Sequence, residues 1–181
     1  MIKILQSKRI LLRPIIEYDS KMIFELRSDQ SVNKFIDRFT MKNIDESIKF
    51  IRKIMKGNES GDYCYWIISK LDVNSAIGTI CLWNFTEGKT SAEIGFELLP
   101  AFQGFGYVSE SIDSVLDFAF NELNLKQITA WAHHENSSSI KVLQKKGFHF
   151  DGEKTVDGTT VESITYSTYS ITRDQLKQFP K

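Results

Sequence analysis

Two glycines set between a strand pattern and a helix pattern constrain this chain more than any other feature. Ala92-Glu93-Ile94-Gly95-Phe96-Glu97-Leu98-Leu99 reads as a strand and is closed by Pro100. Gln103-Gly104-Phe105-Gly106-Tyr107-Val108 follows. Beyond it Val108, Ile112, Val115, Leu116, Ala119, Phe120 and Leu123 recur at three- and four-residue steps, the period of an amphipathic helix. A strand that turns on glycine into a helix aims several unpaired N–H groups and the positive end of the helix dipole at one spot. Such a spot suits a phosphate. The turn lacks the third glycine of the dinucleotide fingerprint, and no Gly-Lys-Ser/Thr follows as in a P-loop.

The size of the chain, 181 residues, predicts one domain over residues 1–181 with a substantial core. Basic and acidic residues balance at 23 each, which argues against a nucleic-acid or membrane-surface partner. Cys64 and Cys81 both sit in apolar runs, so buried reduced thiols are expected rather than a disulfide or ligand pair. His133 and His134 are adjacent, their side chains are expected to diverge, and no metal-ligand spacing surrounds them; no metal is expected. Residues 1–9 lack the apolar run of a secretory signal and no stretch reaches membrane-spanning length. A cytoplasmic location is expected.

Along the chain, residues 9–14 read as a strand, and 17–26 and 45–56 as helices. Asn43 or Asp45 would cap the second helix and Gly57-Asn58 would end it. A mixed polar and aromatic segment, 29–42, lies between them. Strands are predicted at 63–69, 76–85, 92–98 and 127–132, with turns at 71–75 and 86–89. A helix over 136–146 stops at Gly147, and strands at 148–150 and 162–171 flank a turn at 156–159. This order predicts an α/β (α+β) fold: a mixed, mostly antiparallel sheet with helices on both faces.

The second informative segment is Asn136-Ser137-Ser138-Ser139, running through a helix to Gly147-Phe148. With Gln103-x-x-Gly106-x-Val108 it resembles the signature of the GNAT family of acetyl-CoA-dependent N-acetyltransferases. That signature reads Gln/Arg-x-x-Gly-x-Gly/Ala at a helix start, then Asn-x-x-Ser/Ala on a helix ending in Gly-Phe. Val108 departs from it, standing where Gly or Ala is commoner. The resemblance spans roughly residues 8–171 and is nearest to the branch that acetylates ribosomal-protein N-termini (RimJ/RimL-like). It implies a GNAT sheet that splays apart after the glutamate-bearing strand, with the pantetheine arm of acetyl-CoA in the cleft. Leu98 and Leu99 would contact pantetheine through their main chain. The N–H groups of Gly104, Phe105, Gly106, Tyr107, Val108 and Ser109 would hold the pyrophosphate, and Gln103 and Asn136 would also bind CoA.

Moving an acetyl group from a thioester to an amine requires a base for the amine, a polarised carbonyl and a proton for the departing thiolate. Glu93 is the candidate base, since a partly buried carboxylate has its pKa raised toward the working pH. The resemblance agrees: in the histone-acetylating branch the base is a glutamate followed by Ile, thirteen residues before the middle glycine. Glu93-Ile94 stands thirteen before Gly106. A solvated or salt-bridged Glu93 is the structural alternative, with Glu97, Glu162 or a water relay as substitutes. Many GNAT enzymes carry a tyrosine acid where this chain has Leu143. The resemblance to the ribosomal-type branch, whose Asn-x-x-Ser serine hydrogen-bonds the CoA sulfur, makes Ser139 the candidate partner of that sulfur, against a structural reading as a first-turn helix residue.

The expected function is acetyl transfer by direct attack onto a protein or peptide N-terminal α-amine, that of a ribosomal protein included. A small amine (polyamine, amino acid or aminoglycoside-like) is the alternative acceptor, and a non-catalytic acyl-CoA-binding module the alternative role. The first two helices, segment 29–42 and the last hairpin would build the acceptor pocket. They carry Asp37, Asp45, Glu46, Asp157 and Glu162. The number of subunits stays open, a homodimer included.

Overall fold

In the computed structural model, residues 2–72 and 75–177 are described. Eight strands form a single sheet in the order β1-β2-β3-β4-β5-β6-β8-β7. These are β1 (Leu5–Gln6), β2 (Ile10–Pro14), β3 (Cys64–Lys70), β4 (Ala76–Trp83), β5 (Ser91–Leu98), β6 (Gln127–His133), β7 (His149–Asp157) and β8 (Ser163–Thr172). The helices are α1 (Ser20–Ser28), α2 (Gln30–Asn33), α3 (Ile44–Ser60), α4 (Tyr107–Asn121), α5 (Ser137–Lys145) and α6 (Arg173–Leu176). Every strand pair is antiparallel except β5·β6. The expected mixed sheet with helices on both faces is what the chain forms.

Strand alternation sorts the core into two halves. On one face Ile80, Leu82, Ile94, Leu98, Ile128 and Ala130 pack with α4 residues Ile112, Val115, Leu116 and Ala119. Trp66 is fully buried there, its ring edge-on to Phe118 at 5.6 Å. On the other face Tyr65, Ile67 and Leu99 pack against Ile23 and Leu26 of α1 and Ile51 and Ile54 of α3. Each such side chain contributes about 1.5–3 kcal/mol by leaving water.

Helix α3 runs further than predicted. Asn43 caps it, its Oδ1 accepting from the Glu46 N–H at 3.0 Å. Gly57 does not end it: the helix continues to Ser60 and stops at Gly61, φ 80°. Gly57 instead makes room for a ring, since a Cβ there would lie 1.9 Å from Tyr63 Cδ2. Buried Asn58 accepts from the Tyr65 N–H at 2.9 Å, so both residues lock the helix onto β3. The last hairpin is likewise longer: β7 runs to Asp157 rather than stopping near 150. The predicted 71–75 turn lies partly outside the described residues. No described helix is long and apolar enough to cross a membrane.

Candidate active site

Strands β5 and β6 pair only at Ser91–Gln127, Ala92–Ile128 and Glu93–Thr129. Beyond that point β6 stays bonded to β8 as far as His133–Tyr166, while β5 stays bonded to β4 as far as Leu98–Gly78. The sheet therefore splits directly after Glu93. Because the Leu99 N–H donates to the Ile77 carbonyl at 2.9 Å, Glu93, Gly95 and Glu97 also direct their main-chain groups toward β4. The main-chain groups of Phe96 and Leu98 consequently face the gap. The Leu98 carbonyl there accepts from Gln103 Nε2 at 2.9 Å, tying the glycine turn to the strand end. Leu99 points the other way, with its N–H engaged by Ile77 and its carbonyl by Phe102.

At the mouth of the gap stands the glycine turn. Gly104 and Gly106 adopt φ 82° and 81°, a left-handed backbone that costs other residues about 1–2 kcal/mol. Gly106 is the N-cap of α4 and provides no side chain to satisfy the helix's first N–H groups. No carbonyl among the described residues accepts from the N–H groups of residues 106–109. A cradle of unsatisfied donors on a fifteen-residue helix is what a pyrophosphate requires.

One neighbour of the turn escaped sequence reasoning. Arg9 donates through Nη1 to the Phe105 carbonyl at 3.1 Å, through Nε to Glu110 at 2.7 Å, and lies 4.8 Å over the Tyr107 ring. Glu110 also accepts from the Ser7 hydroxyl and the Arg9 N–H, at 2.7 and 2.8 Å. The carboxylate thus anchors the first strands to α4. Arg9 precedes the turn by nearly a hundred residues, so no local pattern could reveal the pairing.

On the α1/α3 side of the split, Glu93 is half-buried, and burial pushes its carboxyl up to about 7, opposed by the Asn84 side chain. Glu97, four residues on, is held differently. Arg38 grips it through both nitrogens at 2.6 and 2.7 Å, and Arg27 stands 3.6 Å away. Glu162 is exposed at the tip of the last hairpin. Of the three carboxylates, Glu93 is the one that stands half-buried where β5 and β6 part.

Across the gap, Asn136 caps α5, its Oδ1 accepting from the Ser139 N–H at 3.2 Å and the Ser138 hydroxyl at 2.8 Å. Ser139 sits half-buried in the first turn, and its hydroxyl bonds to no described residue. Leu143 is buried in the core. Lys146 is committed to Asp113 at 2.6 Å.

Residues 29–42 close the site from above. Asp37 accepts from the Thr159 and Thr160 N–H groups and from the Thr160 hydroxyl, joining this segment to the β7–β8 turn. Phe35 packs on His133 with ring centroids 5.3 Å apart, and Trp131 packs on Tyr166 at 5.8 Å. Burial, then the charges of Asp37 and Glu93, push the Tyr166 phenol up. The histidine rings do not diverge as expected: they stack at 4.7 Å, because β6 ends at His133 and the alternation lapses in the turn. Burial and His134 lower the His133 pKa. Asp45 and Glu46 lie in the exposed first turn of α3, where the Glu46 carboxylate accepts from the Lys42 N–H at 2.9 Å. Asp157, at the end of β7, is exposed as well.

Comparison with known proteins decides the family. The model of the acetyltransferase (GNAT) domain matches residues 9–149. The chain belongs to the GNAT family.

A GNAT relative in Bacillus subtilis (strain 168), the uncharacterized N-acetyltransferase YoaA, is 30% identical over 152 residues, covering 84% of this chain and 86% of its own length. The ribosomal-protein-S5-alanine acetyltransferase from Vibrio fischeri superposes with TM-score 0.82 at 18% identity, over 95% of this chain and 97% of that one. The spermidine N-acetyltransferase from Vibrio cholerae, solved with CoA and spermine, gives TM-score 0.82 at 19% identity, over 94% and 99%. At such identities the two structures speak for the fold. This GNAT protein is thus an acetyl-CoA-dependent N-acetyltransferase, an acyltransferase with acetyl-CoA as co-substrate. Among the described residues no cluster of His, Cys, Asp or Glu could hold a metal ion. The match stops at His149, so the hairpin that carries Thr159, Thr160 and Tyr166 lies beyond it.

Proposed function

We propose that this protein acetylates the N-terminal α-amine of a protein or peptide by direct attack, with Glu93 as base. The observation that carries the reading is Glu93 itself, a half-buried carboxylate with pKa about 7 where β5 and β6 part. At neutral pH a large share of it is ionised, yet basic enough to accept a proton from an ammonium. The amine nitrogen attacks the thioester carbon, a C–N bond forms and the C–S bond breaks. Glu93 takes the ammonium proton that frees the nitrogen for attack, and the second N–H proton, lost as the C–S bond breaks, goes to the leaving thiolate, which the Ser139 hydroxyl meets. The Phe96 N–H, facing the gap, supplies a donor for the acyl group or pantetheine amides.

Direct attack is favoured over a covalent intermediate by the state of the cysteines. Burial pushes Cys81 up to about 12 and Cys64 up to about 11, so neither forms a thiolate nucleophile near neutrality. A single α-ammonium suits a cleft with one carboxylate free for it. Asp37 and Glu97 are already bound by Thr159 and Thr160 and by two arginines. A small-molecule monoamine is the second reading, and the same observation favours it over a polyamine.

The test is thiol release from acetyl-CoA against peptides with free and blocked N-termini. Turnover that needs the free α-amine and falls at least a hundredfold in Glu93→Gln supports the reading. Turnover on peptides that is unchanged in Glu93→Gln would remove Glu93 from the mechanism.

A further inference from the structure

The wall beside Glu93 is aromatic, and cations stand around it. Trp83 pairs with Glu93 across β4 and β5 and shares its face. Its Nε1 lies 3.8 Å from where a Gly95 side chain would begin, so the glycine keeps the floor beside Glu93 low. On the far side Trp131, His133 and Tyr166 occupy the same face of β6 and β8, and Phe35 covers His133 from above. Trp83 and Trp131 remain 42% and 36% exposed, unusual for indoles in a sheet centre. Around this aromatic wall stand Lys154, its Nζ 5.2 Å over the Trp131 ring, and Lys34, its Nζ 4.7 Å over Phe35. Two arginines share the single carboxylate of Glu97, leaving one positive charge uncompensated there.

We infer that the acceptor is a primary amine carried on an aromatic or extended apolar group and bearing no second positive charge. The ammonium approaches Glu93 while ring faces and Tyr166 contact the body beside it. A ring stacked on indole or phenol contributes beyond its buried area, and an ammonium is attracted by the same π faces. A second cation within a few ångströms of the first would meet Lys34, Lys154 or the arginine pair. For a peptide this means a first residue such as Phe or Leu in preference to Ala, Ser or Lys. The inference rests on the reading of Glu93 as the base and of this cleft as the acceptor site.

The experiment measures kcat/KM with saturating acetyl-CoA on full-length protein. Its acceptors are one peptide series with Phe, Leu, Ala, Ser or Lys first, plus phenethylamine and spermidine. Expected is a preference of at least tenfold for Phe over Ala and about a hundredfold for phenethylamine over spermidine. Trp131→Ala should erase most of the preference for Phe over Ala. The double variant Lys34→Ala, Lys154→Ala should raise the ratio of spermidine to phenethylamine turnover about tenfold. Turnover of phenethylamine without peptides would defeat the peptide reading and leave this inference standing. Equal or better use of spermidine or the Ala peptide overturns it. So does the lack of saturable tryptophan quenching by phenethylamine in the CoA complex, should no acceptor turn over.

Discussion

Asp37 accepts from the Thr160 hydroxyl at 2.6 Å and from the Thr160 N–H at 2.8 Å, across a sequence separation of 123 residues. The segment between α2 and α3 is thereby fastened to the tip of the β7–β8 hairpin, and the acceptor cleft has a roof. Asp37→Ala should raise the KM for the acceptor about tenfold, the loss of bonds individually worth about 1 kcal/mol. The KM for acetyl-CoA should stay within twofold, since the glycine turn lies elsewhere. The Thr159 N–H first, then the Thr160 hydroxyl, hold the Asp37 carboxyl down at about 2. A depressed pKa means the clasp is intact above the ordinary carboxylate range and fails only as pH falls toward 2. Acceptor KM measured from pH 5 to 8 should therefore show no contribution from Asp37.

Glu93 gives the opposite sign. Its carboxyl is raised to about 7, so the base is ionised, and kcat/KM rises, as pH climbs through 7. In Glu93→Gln that acid limb should vanish along with at least a hundredfold of kcat. Stability moves the other way: folding favours the protonated form, so stability is full below the unfolded pKa and declines as pH rises through 7. Thermal melts should show Glu93→Gln more stable than the natural protein at pH 8.5 and equal to it at pH 5. A variant less stable at pH 8.5 would mean the carboxylate is satisfied by partners rather than merely desolvated.

Glu97 is a structural residue on this account. Removing it leaves Arg27 and Arg38, with side chains 18% and 12% exposed, facing each other without an anion. Glu97→Ala should cost about 3 kcal/mol, a drop in Tm of roughly 6–12 °C. Glu97→Gln should recover part of it by keeping one acceptor for Arg38.

At the turn, Gly106→Ala forces a side chain into φ 81° with Arg9 Nη2 3.5 Å from the new carbon. Stability should fall by about 1–2 kcal/mol. The larger effect should be on acetyl-CoA, with KM raised about tenfold or more because the cradle of N–H groups rotates. Calorimetric titration with CoA checks this without reference to any acceptor.

Local chemistry made much of this protein readable in advance. Pro100, Gly104 and Gly106 punctuate the chain, and the apolar steps from Val108 to Leu123 require a helix whose stripe α4 buries. Asn136 caps α5 because a short side-chain oxygen reaches the Ser139 N–H from that position in any protein. Glu93 could be nominated from strand alternation, since period two places it opposite the buried Ala92 and Ile94. What residue types and spacing cannot carry is which distant groups satisfy one another. Glu93 and Glu97 are alike in the sequence, four positions apart on one strand face. Only the packed protein brings Arg38 and Arg27 to Glu97 and leaves Glu93 desolvated, and desolvation and charge pairing depend on distances in space rather than along the chain. The roof made by Asp37 and the clamp of Arg9 on the turn arise in the same way. The sequence by itself determined most of the elements, the glycine turn and the candidate base, whereas tertiary structure decided which carboxylate is paired with arginine, which is desolvated, and what surrounds each.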